Sequence, residues 1–169
     1  MEQVRLWYFV MYMTTPLHLV LVRPEIPHNT GAVGRLCVGL GCRLHLIRPL
    51  GFRLLPETIR RAGLDYWEHL DVHVHDTWAD FLEEMSVARL FFLSTRGTQS
   101  LYDCVFEPGD VLVFGSESCG FPEEIYARYA DRLFQIPMPG EHARSINLAN
   151  AASIAAYEAY RQIIAHPSR

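Results

Sequence analysis

The amino-acid sequence predicts an α/β fold, with a mostly parallel sheet and helices on both of its faces. Short β-rich runs alternate along the chain with segments whose apolar residues recur at helical spacing. This alternation is typical of parallel strands joined by right-handed crossover helices. The 169 residues, 50% of them hydrophobic, suffice for one packed core but not for two ordinary domains. We therefore expect one domain over residues 17–164, an N-terminal extension over residues 1–16 and a C-terminal tail over residues 165–169.

The individual elements follow from composition and from helix end signals. Residues Leu17–Val22 form a β-rich run before a proline-containing loop. A helical pattern then reaches Leu40, where Asn29 and Thr30 are suitable N-caps and Gly41 is well placed to end the helix. The same signals predict these further elements: strand Arg43–Ile47, helix Pro56–Ala62 ended by Gly63, strand Val72–Val74, capped helix Asp76–Met85, strands Arg89–Ser94 and Val111–Phe114, a helix from Pro122 to about Tyr129, strand Arg132–Ile136, and a final helix from Asn147 to about Ile164.

Charge gives little direct indication of a partner. The formal net charge is -4 and the pI is about 6.0, so the overall charge of the chain does not favour binding to a polyanion such as a nucleic acid. Arginines concentrated between residues 43 and 61 still leave room for a basic face. Residues 1–16 are apolar, but they are too few for a membrane helix and include Arg5. No membrane association is expected.

Cysteine and histidine placement argues against a metal site. The four cysteines form no C-x-x-C pair, and no histidines lie near them at zinc-ligand spacing. Reduced thiols fit a cytoplasmic protein better than a disulfide scaffold. Histidines without a clustered carboxylate or thiol are usually surface or packing residues. On that ground no chemistry is assigned to His69, His73, His75 and His142.

Three loops that follow predicted strands are rich in glycine, proline and polar residues: 23–35, 115–122 and 137–150. In parallel α/β sheets ligands bind outside the carboxyl ends of the strands, so these loops form the candidate site. For any single loop, ordinary turn chemistry is the better explanation. The chain has no P-loop, G-x-G-x-x-G, G-x-S-x-G or H-E-x-x-H motif, which argues against common nucleotide-binding loops, hydrolases and metalloproteases.

The loops and their flanking strands resemble one family closely, the SPOUT RNA methyltransferases, and within it the TrmL group that modifies the wobble ribose of tRNA. The resemblance covers residues 17 to about 162. It rests on PEIPHNTGAVGRL (24–36), RAGLDYWE (61–68), LSTRGT (93–98), FGSESCGFP (114–122) and IPMPGEHARSINLANAASIAAYEAYRQ (136–162). One motif departs from the family: Ser116 and Ser118 flank Glu117 where Gly-Pro-Glu-Thr is usual.

The resemblance implies a C-terminal trefoil knot that binds S-adenosylmethionine. Carried over residue by residue, the expected cofactor-binding residues are Leu93, Gly115, Glu117, Ile136, Met138 and Ser145. Arg35 and Asn147 are the expected catalytic residues. Because a guanidinium is effectively never deprotonated, we expect Arg35 to act as a fixed cation beside the developing alkoxide and not as a general base. The expected RNA contacts are Asn29, Arg96, Arg144 and Tyr157, although packing explains Tyr157 equally well.

The function implied by the resemblance is S-adenosylmethionine-dependent 2′-O-methylation of the wobble nucleotide of tRNA, a cytidine or uridine at position 34. A homodimer is also expected, because the final helix joins the dimer interface in this family and its Ala149, Ala152 and Ala156 permit close helix approach. Three alternatives stay open: the same chemistry on another tRNA or ribosomal RNA position, a non-catalytic RNA-binding protein on a knotted scaffold, and an α/β nucleotide-binding protein unrelated to methyl transfer.

Overall fold

The structure is a computed structural model, and it describes residues 16–54 and 65–165. Seven strands form one sheet in the order β3-β2-β1-β6-β4-β7-β5, and each neighbouring pair in it is parallel. The strands are β1 (Leu17–Val22), β2 (Arg43–Ile47), β3 (Val72–His75), β4 (Leu90–Leu93), β5 (Gln99–Ser100), β6 (Asp110–Phe114) and β7 (Leu133–Gln135). The predicted α/β fold with a parallel sheet is confirmed.

Helices cover both faces of this sheet, as predicted. In the described part of the chain the α-helices are α1 (Pro27–Leu40), α2 (Trp78–Glu84), α3 (Glu123–Arg128) and α4 (Leu148–Ala165). Successive side chains of a strand point to opposite faces. In β1, Leu19 and Leu21 therefore pack with α1 and α4 in one core, while Val20 and Val22 pack with α2 and α3 in a second. Of the helices described, none combines the length and hydropathy needed to cross a bilayer.

Helix α1 begins at Pro27, so the expectation that Asn29 or Thr30 caps it is wrong. Proline suits a first helical turn because the N–H it lacks would have no helical partner there. The N-cap position is Ile26, which offers no side-chain hydrogen bond. Gly41 ends the helix as predicted, in the left-handed conformation with φ 66°. The Asn29 side chain is thus available for contacts with residues distant in sequence.

Two further elements differ from the prediction in detail. Helix α2 begins at Trp78 because Thr77 caps it: Oγ1 of Thr77 accepts from the Asp80 amide at 3.1 Å, and the Asp80 carboxylate accepts from the Thr77 amide at 2.9 Å. The two-residue strand β5 has no counterpart in the prediction, because its polar pair carries no β pattern. The helix predicted over Pro56–Ala62, together with most of the predicted extension and tail, lies outside the described residues.

The alanine face of α4 packs inward. Ala152 and Ala156 are fully buried in the core that α4 shares with α1 and the sheet. The close approach that these alanines permit is therefore made within this chain, so the expectation that they serve a dimer interface is wrong. On its outer side α4 presents Tyr157 and Ile164, which are 56% and 39% exposed. The homodimer itself stays a prediction.

A chain of three buried histidines crosses β1, β2 and β3. Nδ1 of His18 lies 3.0 Å from Nε2 of His45, whose Nδ1 lies 2.9 Å from Nε2 of His75. Burial lowers the pKa of His18 to about 4 and the pKa of His45 to about 3, and it also lowers the pKa of His75. Glu84 approaches His73 to 3.2 Å and His75 to 3.8 Å. The expectation that His73 and His75 lack a nearby carboxylate is therefore wrong.

We expect folding stability to fall as the pH is lowered from about 6.5 toward 4. Histidines of an unfolded chain titrate near 6.5, whereas His18 and His45 stay neutral in the fold down to about pH 4 and 3. In this window the unfolded state binds more protons, which costs up to about 1.4 kcal/mol per pH unit for each histidine. Around His18, Arg43 opposes protonation while Asp71 and Glu84 favour it, and desolvation is the largest effect.

Urea unfolding at several pH values between about 7 and 5 measures this dependence. His45→Gln should flatten it, because one of the two strongly shifted groups is gone. Replacement of the exposed His142 by glutamine should leave the dependence as it is in the parent protein. The same pH dependence in all three proteins would contradict the assignment.

Candidate active site

A cavity of about 420 Å³ opens at the carboxyl ends of β4, β6 and β7, where the three predicted loops meet. This volume lies in the range of small-molecule sites. Nine of the twelve site residues chosen from the sequence line it: Asn29, Leu93, Arg96, Gly115, Glu117, Ile136, Met138, Ser145 and Asn147. The cavity lining does not include Arg35, Arg144 or Tyr157.

The Glu117 carboxylate joins the second loop to the first. One of its oxygens accepts from the Glu25 amide at 2.8 Å. The other accepts from the Ile26 amide at 3.2 Å and from Nδ2 of Asn29 at 2.9 Å. Both carboxylate oxygens are thus engaged by the start of α1. The geometry gives Glu117 a positioning part in the cavity wall, and its expected part in cofactor binding stays a prediction.

Asn29 and Asn147 extend this network to the third loop. Nδ2 of Asn147 donates to Oδ1 of Asn29 at 3.0 Å. Oδ1 of Asn147 accepts from the amides of Ala149 and Asn150 at 2.9 and 3.4 Å, as an N-cap of α4 does. The amide of Asn147 therefore holds the first turns of α1 and α4 together. Its expected catalytic role stays a prediction.

Glu25 and Ser118 form a second link between the first two loops, and the sequence did not indicate it. Oγ of Ser118 donates to one carboxylate oxygen of Glu25 at 2.7 Å, and the Ser118 amide donates to the other at 3.1 Å. The backbone of Glu25 meanwhile donates to Glu117. Because Ser118 keeps the hydroxyl of the threonine usual at this position, the family motif was the signal that could have revealed the link.

Two glycines in the loops after β4 and β6 allow close backbone approaches near the cavity. The amides of Ser116 and Gly120 donate to each other's carbonyls at 2.9 and 3.0 Å and close a tight turn. A Cβ at Gly115 would collide with the backbone of Gly120 in this turn. A Cβ at Gly97 would lie 2.5 Å from the carbonyl carbon of Phe134 in β7. Glycine at position 115 therefore allows the tight turn after β6, and glycine at position 97 allows the loop after β4 to lie against β7.

Arg96 lies at the cavity on an aromatic support. Its guanidinium carbon lies 4.1 Å from the ring centroid of Tyr126, and its Nη1 donates to Glu123 at 3.2 Å. The hydroxyls of Tyr126 and Ser94 lie 3.1 Å apart, and both residues line the cavity. The sequence analysis missed Ser94 and Tyr126, because nothing in the local pattern shows that α3 faces the loop after β4.

The three residues outside the lining are exposed. Arg35 projects from α1, and its guanidinium carbon lies 4.8 Å from the ring centroid of Tyr66. Arg144 lies in the third loop, and Tyr157 lies on the outer side of α4. Arg35 lies six positions after Asn29 in α1, which is about 9 Å of helix rise. The structure therefore places Arg35 away from the residues expected to hold the cofactor in the same chain.

The sequence and the fold of this chain are similar to those of known proteins. Residues 16–157 match the SpoU rRNA methylase family. The chain belongs to this family. A SpoU family relative from Acidovorax sp. strain JS42, a tRNA (cytidine(34)-2′-O)-methyltransferase, is 49% identical over 86% of this chain and 91% of its own. A solved structure that concerns 2-OH methylation of C/U34 on tRNA is 56% identical, with a TM-score of 0.81 over 86% of this chain and 95% of that chain.

A more distant SpoU structure bears on the cofactor. The rRNA methyltransferase of Sinorhizobium meliloti, solved with AdoMet bound, is 25% identical and has a TM-score of 0.75 over 89% of this chain and 59% of that one. The cavity described above fits such a molecule, because apolar side chains can flank a flat base while the exposed backbone and Ser145 offer polar groups to its edges. The apolar side chains are Leu93, Phe114, Ile136 and Leu148. Among the described residues, no cluster of His, Cys, Asp and Glu is arranged to hold a metal ion.

Proposed function

We propose that this protein transfers the methyl group of S-adenosylmethionine to the ribose 2′-hydroxyl of the wobble nucleotide, cytidine or uridine 34, in tRNA. The observation that carries the proposal is the cavity in which the residues expected for the cofactor converge, in a chain 49% identical to a tRNA (cytidine(34)-2′-O)-methyltransferase. The similarity to the structure concerned with C/U34 methylation supports the same substrate.

S-adenosylmethionine supplies a methyl group on a sulfonium, and this chain supplies position and charge. Leu93, Ile136 and Met138 would hold the cofactor through apolar contacts, and Gly115 and Ser145 would offer it polar groups. Displacement at a methyl carbon requires the acceptor oxygen to lie in line behind that carbon. The main catalytic contribution of the site is therefore to hold its loops, and with them the reactants, in fixed positions. The network of Glu117, Asn29 and Asn147 holds those loops in place.

Arg35 acts on the acceptor oxygen in this proposal. As a fixed cation it stabilises the negative charge that develops when the 2′-hydroxyl loses its proton. The proton passes to a phosphate oxygen or to water, since the guanidinium cannot accept it. Arg96 at the cavity, Arg144 in the exposed third loop and Tyr157 contact the RNA. The buried Asn29, which is bonded to Glu117 and Asn147, acts by holding the loops in position.

We further propose that the protein works in the cytoplasm as a homodimer with a C-terminal trefoil knot. The knot is supported by family membership and by the tight packing of the loop after β4 against β7 at Gly97. The dimer is supported by the apolar outer side of α4, where Tyr157 and Ile164 are exposed. The Arg35 of a chain does not line the cavity of that same chain. A second protomer would bring further groups to this cavity.

Transfer of label tests the proposed function. The purified protein is incubated with S-adenosylmethionine carrying a labelled methyl group, together with total tRNA or ribosomal RNA, and the modified nucleotide is mapped by mass spectrometry. We expect label on the 2′-oxygen of nucleotide 34 in tRNA. Label in ribosomal RNA alone would favour the alternative suggested by the family's description.

Calorimetry separates the remaining alternatives. We expect S-adenosylmethionine or its demethylated product to bind the protein with a stoichiometry of about one per chain, because each chain supplies the residues of the cavity described above. Cofactor binding without label in any RNA would leave a non-catalytic RNA-binding protein as the better interpretation. Binding of NAD or ATP in its place would indicate a nucleotide-binding protein unrelated to methyl transfer.

A further inference from the structure

The motif RAGLDYWE (61–68) has no part in the function proposed so far, yet its described end lies beside Arg35. Residues Asp65–His69 form a short 3-10 helix. The hydroxyl of Tyr66 donates to the carbonyl oxygen of Gly31 in α1. The face of the same ring lies 4.8 Å from the guanidinium carbon of Arg35.

Gly34 lets this segment approach α1 closely. A Cβ at Gly34 would lie 3.0 Å from Leu70, 3.4 Å from Trp67 and 3.6 Å from Tyr66. The distance to Leu70 is tighter than ordinary van der Waals contact, so a larger residue at position 34 would press on Leu70 and the segment that carries it. The position of the Tyr66 ring is thus set by backbone approach as well as by its hydroxyl.

We propose that Tyr66 is a positioning residue for Arg35. This inference rests on the proposed function, in which the Arg35 guanidinium stabilises the acceptor oxygen. Tyr66 does not contact the reacting atoms. It offers the guanidinium an aromatic face, and an arginine stacked on such a face is attracted to the ring by its charge.

The geometry ties the aromatic face to the helix that carries the arginine. Gly31 precedes Arg35 by one helical turn. Tyr66 therefore contacts two successive turns of α1, through its hydroxyl at Gly31 and through the face of its ring at Arg35. An exposed arginine samples many rotamers, and catalysis must restrict them to one. With Tyr66 in place, the Arg35 side chain is largely held in one rotamer before the RNA binds, so the site is preorganised for the transition state.

Kinetics of two tyrosine variants tests the proposal. Tyr66→Leu removes the ring and should lower kcat roughly 10- to 100-fold, because misplacement of a catalytic group by about 1 Å has effects of that size. The KM for tRNA and the affinity for S-adenosylmethionine should change by less than about twofold, since only the transition state uses the positioned guanidinium. Tyr66→Phe keeps the ring and should retain most of the turnover.

Coupling to Arg35 distinguishes positioning from a general structural effect. If Tyr66 acts through Arg35, then Tyr66→Leu should cause no further loss in an Arg35→Ala background. An equal loss in both backgrounds, or an unchanged kcat in Tyr66→Leu, would overturn the proposal. Should Tyr66→Leu fail to fold, Tyr66→Phe and Tyr66→Trp keep an aromatic face, and a kcat loss in both as large as that expected for Tyr66→Leu would overturn it equally.

A spectroscopic measurement makes the test independent of turnover. The Nε–H resonance of Arg35, assigned by its loss in Arg35→Ala, should indicate a less ordered side chain in Tyr66→Leu than in the parent protein. An unchanged resonance would also contradict positioning. Normal turnover in Arg35→Ala would instead remove Arg35 from the proposed mechanism. If Arg35→Ala loses turnover while the tyrosine variants behave like the parent protein, only the role of Tyr66 is contradicted.

Discussion

Replacement of Arg35 by alanine is expected to lower the rate of methyl transfer at least about a hundredfold, while the affinity for S-adenosylmethionine stays within about twofold. The 2′-hydroxyl is a weak nucleophile at neutral pH, so charge must be stabilised on its oxygen as the proton leaves. Arg35 is the cation assigned to that task, and it lies outside the lining of the cofactor cavity. Its loss should therefore affect the chemical step and spare cofactor binding.

Single-turnover transfer to tRNA and calorimetry with the cofactor measure the two quantities separately. Arg35→Lys should give an intermediate rate, because the charge remains while the planar fork is lost. Arg132→Ala is a matched control, since Arg132 is also exposed but precedes β7 at the opposite end of that strand from the cavity. Parent-like turnover in Arg35→Ala, or an equal loss in Arg132→Ala, would exclude the assigned role.

The strands and the loops of the site could be predicted because their signals are local. LHLVLV carries β-rich residues that are apolar on both faces, and the structure buries all six positions of β1 between two helical layers. Glycine after Leu40 marks the end of α1 through its own conformational freedom. The carboxyl ends of parallel strands necessarily share one edge, so loops that follow different strands could be expected to meet.

The contacts within the site could not be predicted, because they join residues far apart in the chain. Asn29 is a good N-cap by propensity, but it lies inside α1 and bonds to Glu117, 88 residues away. The histidine chain arises because β2 pairs with both β1 and β3, a register that no single strand encodes. Tertiary hydrogen bonds of this kind override local preference, since their partners are set by the whole sheet.

The neighbour of the alanine face of α4 could not be predicted from the sequence either. Small residues at helical spacing indicate that something approaches closely, but they do not say what approaches. Here the neighbour of Ala152 and Ala156 is the core that this chain builds from α1 and its own sheet. Only the packing of the complete fold distinguishes an internal neighbour from a second protomer.

Replacement of Glu117 by glutamine should weaken cofactor binding at least about tenfold and lower the free energy of unfolding by about 2 kcal/mol. The Glu117 carboxylate accepts three hydrogen bonds, from the amides of Glu25 and Ile26 and from the side chain of Asn29. Both carboxylate oxygens face donors, so a glutamine must turn its NH₂ group toward at least one of them. A hydrogen bond to a charged acceptor is also stronger than one to a neutral acceptor.

Calorimetry and urea unfolding measure the two effects of Glu117→Gln, and Glu83→Gln on the exposed side of α2 controls for the loss of one carboxylate charge. If the bonds of Glu117 shape the cavity, Asn29→Ala should cause part of the same loss, and the double variant should lose less than the sum of the single ones, because both residues belong to one network. Cofactor affinity unchanged in Glu117→Gln would mean that the loops keep their positions without this carboxylate. Strictly additive losses would instead mean that Glu117 and Asn29 act on the cavity separately.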